Sequence, residues 1–240
     1  MRREISLILV SLILGLCLVG ATKIISDTVI TVKNKGYIKV KGFAKGKIKS
    51  DVALLKIKIK DFNKDLTLCY KNVEETRKEL NDIFSNFKID KINIYPIKLE
   101  EKFKINERGY ETEEFVGYRL TQDIEIETKD VEGVQELVRN IERMLSKGRE
   151  VEIVSLKYIC TKLDDLKIKM IGKATRNALE RAKTVAHEGK FALGPISSVR
   201  VGVFQITPLY STRISDYGIN DTQSLWKEIK SVVEVKFFVK

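Results

Sequence analysis

Histidine is nearly absent from this chain of 240 residues: His187 stands alone. A catalytic triad, a histidine-rich zinc site and a histidine general base each need more than one isolated imidazole supplies. Cysteine is scarce too, with three residues, Cys17, Cys69 and Cys160. That is too few for a disulfide framework. Cys17 sits in an apolar run, so Cys69 and Cys160 are the one pair left, and nothing in their spacing argues that they join. Three prolines and 14 glycines exclude collagen-like and disordered chains. The sequence lacks a Gly-rich phosphate loop, a Gly-x-Ser-x-Gly elbow and metal-ligand spacing, so it implies no cofactor, metal or catalytic residue. Acidic residues are in deficit, 33 against 44 basic, for a formal charge of +11. Such a field favours anionic surfaces, whether nucleic acid, acidic lipid or wall polymer, without choosing among them.

What is present begins with MRREISLILVSLILGLCLVGA, residues 1–21. Arg2 and Arg3 precede an uncharged run from Ile5 to Ala21, and Val19-Gly20-Ala21 forms a candidate cleavage site. The length suits either a cleaved signal peptide or a retained membrane anchor. Both readings place the rest of the chain outside the cytoplasm, because the two arginines hold the start inside. Residues 22–36 read as a linker and 37–240 as the folded part.

From Ile38 the period is two. Ile38, Val40, Ala44 and Ile48 share one parity; Lys39, Lys41, Lys45, Lys47 and Lys49 share the other. Ser50-Asp51 signals a turn, and Leu55, Ile57 and Ile59 then alternate with Lys56, Lys58 and Lys60, which predicts a hairpin with one lysine face. Helical spacing takes over at 65–87, followed by strands at about 91–104 and 115–128 around the acidic loop NERGYETEE. The second of these strands carries Arg119, Thr121, Asp123, Glu125 and Glu127 on one face, opposite an apolar one. Its acidic face is suited to lie beside a lysine face of the same sheet or of a neighbouring subunit. Asp130 reads as the cap of a second helix ending near Gly148. A strand at 150–160 leads to a long helix at 163–188, with Ala174, Ala178, Ala182 and Ala186 at four-residue spacing. Strands at 196–207 and 232–239 flank the loop PLYSTRISDYGINDTQSLWKE. The order ββαββαβαββ predicts an α+β fold, mostly antiparallel sheet with helices packed on it. Two sub-lobes would hinge near 104–115 or 160–163.

In that order, four stretches resemble the SIMPL-domain family, exported bacterial and archaeal proteins grouped as a domain of unknown function. They are VKGFAKGKIKSDVALLKIKI, FVGYRLTQDIEIE, KATRNALERAKTVA and ALGPISSVRV, and the likeness runs from about Ile38 to Val239. Ser50 departs from the family's usual proline. The resemblance implies an envelope or secreted protein that self-assembles, and it implies no catalytic residues.

The lysines Lys39, Lys41, Lys45, Lys47, Lys49, Lys56, Lys58 and Lys60 form a candidate polyanion face. They also suit the wet side and guarded edge of a sheet, with Phe43 the one aromatic among them. Leu209, Tyr210, Tyr217 and Trp226 are apolar side chains in a long polar loop, and read as local packing or a contact with a second copy. The Ala stripe suits core packing or a partner face. His187 suits the carbonyl end of its helix. Asp61 with Asp65, Glu113-Glu114 and Asp164-Asp165 are paired carboxylates that read as caps or solvated charge. The sequence therefore predicts a non-enzymatic, homo-oligomeric binding protein of the cell envelope. The alternatives are a basic adhesion module for anionic polymer or membrane, and an enzyme with a carboxylate site. No specific nucleic acid or small-molecule substrate is implied.

Overall fold

The computed structural model describes residues 15, 17–26 and 36–239, and is α+β throughout. Residues 17–26 are helical. Most of the apolar run at 5–21 falls outside the described residues. Among the described residues no helix is long and apolar enough to cross a membrane.

The elements in chain order are β1 (Tyr37–Lys49), β2 (Val52–Asn63), α1 (Leu66–Ser85), β3 (Lys91–Ile94), β4 (Lys98–Ile105), β5 (Glu111–Thr128), α2 (Val134–Glu142), β6 (Glu150–Ile159), α3 (Leu163–Glu188), β7 (Leu193–Val201), β8 (Gln205–Pro208), β9 (Ile219–Asn220) and β10 (Trp226–Val239). They form two sheets. One runs β3-β5-β2-β6 with β4 also on β5, and the other β1-β10-β8-β9 with β7 also on β10. The chain divides into two compact units. One holds 1–44, 169–203 and 231–240; the other holds 45–168 and 204–230. Their boundaries fall within or beside β1, α3, β7 and β10, and not at the loops near 104–115 and 160–163.

The larger unit contains the β3-β5-β2-β6 sheet. Leu55, Ile57 and Ile59 of β2 and Ile124 and Ile126 of β5 are buried on one face, where α1 packs. Burying each such side chain is worth roughly 1.5–3 kcal/mol. Asp65 starts α1 by accepting from the amides of Thr67 and Leu68 at 2.7 and 3.3 Å. Cys69, Val73, Leu80 and Phe84 then supply its buried stripe. Gly117 of β5 has no room for a side chain, because a Cβ there would lie 2.8 Å from the Phe62 ring. The second helix starts later than expected, because Asp130 caps a preceding turn. It accepts from Gly133 N at 3.0 Å, and α2 proper begins at Val134.

The expected hairpin is not one. β1 pairs with β10, whereas β2 pairs with β5 and β6. Two alternating strands with a two-residue joint look alike whether they pair or part, because the period reports faces and not neighbours. Here the joint is committed elsewhere. Ser50 N donates to Leu225 O and Asp51 N to Ile159 O, both at 2.9 Å. The Asp51 carboxylate accepts from Thr161 N at 2.7 Å and from its hydroxyl at 2.6 Å. Burial would raise this carboxyl, but the Thr161 hydrogen bonds outweigh it and hold it below the usual carboxylate range.

Other boundaries move for local reasons. The strand expected at 91–104 breaks around Pro96, where Tyr95 O accepts from the Gln122 side chain. That expected at 196–207 breaks after Val201, and its halves pair with different parts of β10. β10 itself begins at Trp226, six residues before the expected start.

In the smaller unit, Ala174, Ala178, Ala182 and Ala186 of α3 are buried, as are Val233, Val235 and Phe237 of β10. β1 approaches α3 at Gly42. A Cβ on Gly42 would lie 2.0 Å from Ala174 O and 2.6 Å from Ala178 N. Arg181 donates to Lys41 O at 3.1 Å, and Phe43 N to Asn177 Oδ1 at 3.1 Å. The Ala stripe is therefore packing within the chain.

Candidate functional site

The lysines singled out in the sequence are drawn into ion pairs. On β2, Lys56 meets Glu125 at 3.1 Å, Lys58 meets Asp123 at 3.8 Å and Lys60 meets Glu152 at 2.6 Å. The acidic face of β5 thus lies beside the lysine face of β2 in one sheet. Tyr95 donates to Glu125 at 2.8 Å, and with Lys56 it holds that carboxyl below its ordinary value. On β1, Lys39 pairs with Glu234, Lys45 with Glu228 and Lys49 with Glu132. Lys47 lies over the Trp226 ring, 4.2 Å from its centroid, and Lys41 has no ion pair among the described residues. Six of the eight candidate lysines are therefore locally neutralised, which weakens the face as a polyanion surface.

The excess charge lies elsewhere. The larger unit holds 28 basic and 28 acidic residues, whereas the smaller holds 16 basic and 5 acidic, together the full 44 and 33. The whole of the net +11 therefore belongs to the smaller unit, which holds only Lys39 and Lys41 of the eight candidate lysines.

The loop between β8 and β10 has the opposite character. Its backbone is tied down by polar side chains of the sheet: Gln205 Nε2 donates to Ser215 O at 2.7 Å, and Lys230 Nζ to Ser211 O at 2.6 Å. Gly218 N donates to Ser215 O, and Ile219 N to Phe204 O. Yet Tyr210, Ile214 and Tyr217 are 93%, 80% and 97% exposed. Tyr210 also takes a left-handed backbone, φ 64°, which a non-glycine residue adopts at a cost. Trp226 and Leu209 behave differently from the two tyrosines. Trp226 opens β10 under Lys47 and Lys49, and Leu209 is half-buried. Ile214, missed in the sequence, belongs to the exposed set; its place between Arg213 and Ser215 gave no periodic signal.

The remaining candidates have structural duties. Asp65 caps α1, Asp164 pairs with Lys167, and Glu114 with Lys104. Asp61 accepts from Asn72 Nδ2 at 3.2 Å. His187 contacts Glu188 at 3.0 Å on the surface. Cys69 and Cys160 are both free thiols. Burial pushes Cys69 up to about 11, so it stays protonated and unreactive.

One buried group had no sequence signal. Lys227 is 3% exposed and donates from Nζ to Tyr158 O at 2.7 Å. It lines a cavity of about 40 Å³ with Tyr158, Cys160, Asn220 and Thr222, room for a water or so. Desolvation pulls its ammonium below the ordinary lysine value, against the opposing field of Asp221.

A family model described as SIMPL, protein of unknown function (DUF541), matches residues 38–224. A comparison with curated proteins gives no match.

Proposed function

The chain belongs to the SIMPL family of proteins of unknown function, and from that premise we propose that it is a non-catalytic, exported module that self-assembles at the cell envelope through the loop between β8 and β10. The observation that carries this reading is the loop's construction: the sheet fixes the backbone while Tyr210, Ile214 and Tyr217 are turned to solvent. Large apolar side chains on a fixed loop suit a contact with another molecule, because little ordering entropy remains to be lost on binding. The apolar run at 5–21 supports placement at a membrane, as a retained tether or a cleaved signal. The acid-to-lysine pairing within the β2–β5 sheet shifts the driving force for assembly from charge to the apolar loop.

The full chain in mild detergent is expected to run as a homo-oligomer by native mass spectrometry. Changing Tyr210, Ile214 and Tyr217 together to Ser is expected to raise the dissociation constant about 100-fold or more, with the melting temperature unchanged. A monomer at tens of micromolar before any change, or an oligomer indifferent to the triple change, would defeat this reading.

A further inference from the structure

The net charge of this protein is confined to one unit, and four of that unit's cations share one helix face. From Lys169 onward α3 carries Lys169, Lys173, Arg176, Glu180 and Lys183 at steps of four, three, four and three, which is one stripe of an α-helix. The stripe is exposed along its length. It lies on the side of the helix opposite the buried Ala174, Ala178 and Ala182. Lys169, Lys173, Arg176 and Lys183 make no ion pair or side-chain hydrogen bond among the described residues, and Glu180 is the one acid in their row. Four cations thus stand over about 21 Å of helix. The close approach of Gly42 to Ala174 and Ala178 fixes the other side of the helix, so the row is presented as a rigid line.

We propose that this face of α3 docks on a bilayer of anionic lipid headgroups, laying the smaller unit against the membrane. Three features favour a lipid surface over nucleic acid. A straight row of cations matches a plane of charge. No aromatic side chain stands in the row to stack on a base. In the sequence the N-terminal apolar run precedes β1 of this unit, and only ten Cα steps separate Ser26 from Gly36, a reach of at most about 36 Å. This last point rests on the membrane-tethered reading above; the charge argument does not. The contact is peripheral and electrostatic, because the apolar side of α3 is already used inside the protein.

The test is flotation of the full chain with two vesicle types, phosphatidylcholine alone and phosphatidylcholine with roughly one third phosphatidylglycerol. Each basic residue near such a surface is worth about fivefold in partitioning. The natural chain is expected to prefer anionic over neutral vesicles by at least about tenfold near 0.1 M salt, and to lose the preference near 0.5 M. Lys169→Gln, Lys173→Gln, Arg176→Gln and Lys183→Gln together should erase it. The same number of changes in the neutral unit, Lys56, Lys58, Lys60 and Lys157 to Gln, should leave it. Retention of the preference in the α3 variant, equal loss in both variants, or no preference in the natural chain overturns the proposal. So does tighter capture by DNA than by anionic vesicles, since nucleic acid would then be the better fit. Binding to neutral vesicles reports the tether alone: its absence removes the tethered reading, while an anionic preference that depends on the stripe still upholds the docking face.

Discussion

Lys227 shows how far a single residue can depart from what its neighbours suggest. In sequence it follows Trp226 as one more lysine of a basic chain; in the fold it is buried and has one backbone carbonyl as its partner. Taking an ammonium out of water is costly, and an isosteric apolar side chain is often as good or better there. Lys227→Met is therefore expected to leave the melting temperature unchanged or higher by a few degrees, despite the lost hydrogen bond to Tyr158 O. The sign of the pH effect follows from the lowered value. Between the folded pKa and the ordinary lysine value near 10.4, the unfolded chain binds the extra proton, so stability rises with pH across that window. Chemical denaturation from neutral pH to about pH 10 should show this rise in the natural protein and a smaller one in Lys227→Met. Equal slopes would mean that the buried amine is not the source. Burial of this kind is invisible in sequence because β10 alternates Lys227, Ile229, Ser231 and Val233 on its inward side, and lysine ordinarily marks the outward one.

At the scale of elements, period was legible and pairing was not. The alternation along β1 and β2, the helices at 66–85 and 163–188, and the outward acids of β5 all stand where the side-chain spacing puts them. What failed were one statement about partners, the β1–β2 hairpin, and several about boundaries: the unbroken strands across Pro96 and Val201, and the loop position of Trp226. Partners depend on hydrogen bonds between residues far apart, such as Ser50 to Leu225, and no local pattern encodes them. Gly42 lies between these cases. The Ala stripe suited core packing or a partner face, and the structure supplies Gly42 of β1 as what it packs against, a contact the sequence did not announce. Gly42→Ala is expected to destabilise by about 3 kcal/mol or more, since the new methyl group meets backbone atoms that cannot swing aside. Thermal unfolding measures this. A loss below about 1 kcal/mol would mean that β1 and α3 are not held so closely.

For the whole molecule, the net charge and the exposed apolar loop lie in different units, and that separation makes the two proposed binding modes separable by salt. The candidate site was legible only in part: Tyr210 and Tyr217 were singled out from their polar surroundings, but the eight conspicuous lysines drew attention from the α3 cations, whose row holds one acid, Glu180. A sequence reports how many charges exist, whereas neutralisation depends on who stands within about 4 Å, as Glu125 stands beside Lys56. With the larger unit at 28 basic and 28 acidic residues, assembly through its loop, as proposed, would have little net charge to screen. Burial of Tyr210, Ile214 and Tyr217 depends on removing apolar surface from water, which moderate salt does not weaken. Raising salt from about 0.05 to about 0.5 M contracts the Debye length roughly threefold. The homo-oligomer is expected to survive that change in mass photometry, its apparent dissociation constant moving less than about threefold. Adhesion to anionic vesicles should be lost over the same range. Dissociation of the oligomer in step with the vesicles would mean that copies are joined by basic and acidic strands after all, and that the exposed loop serves something else.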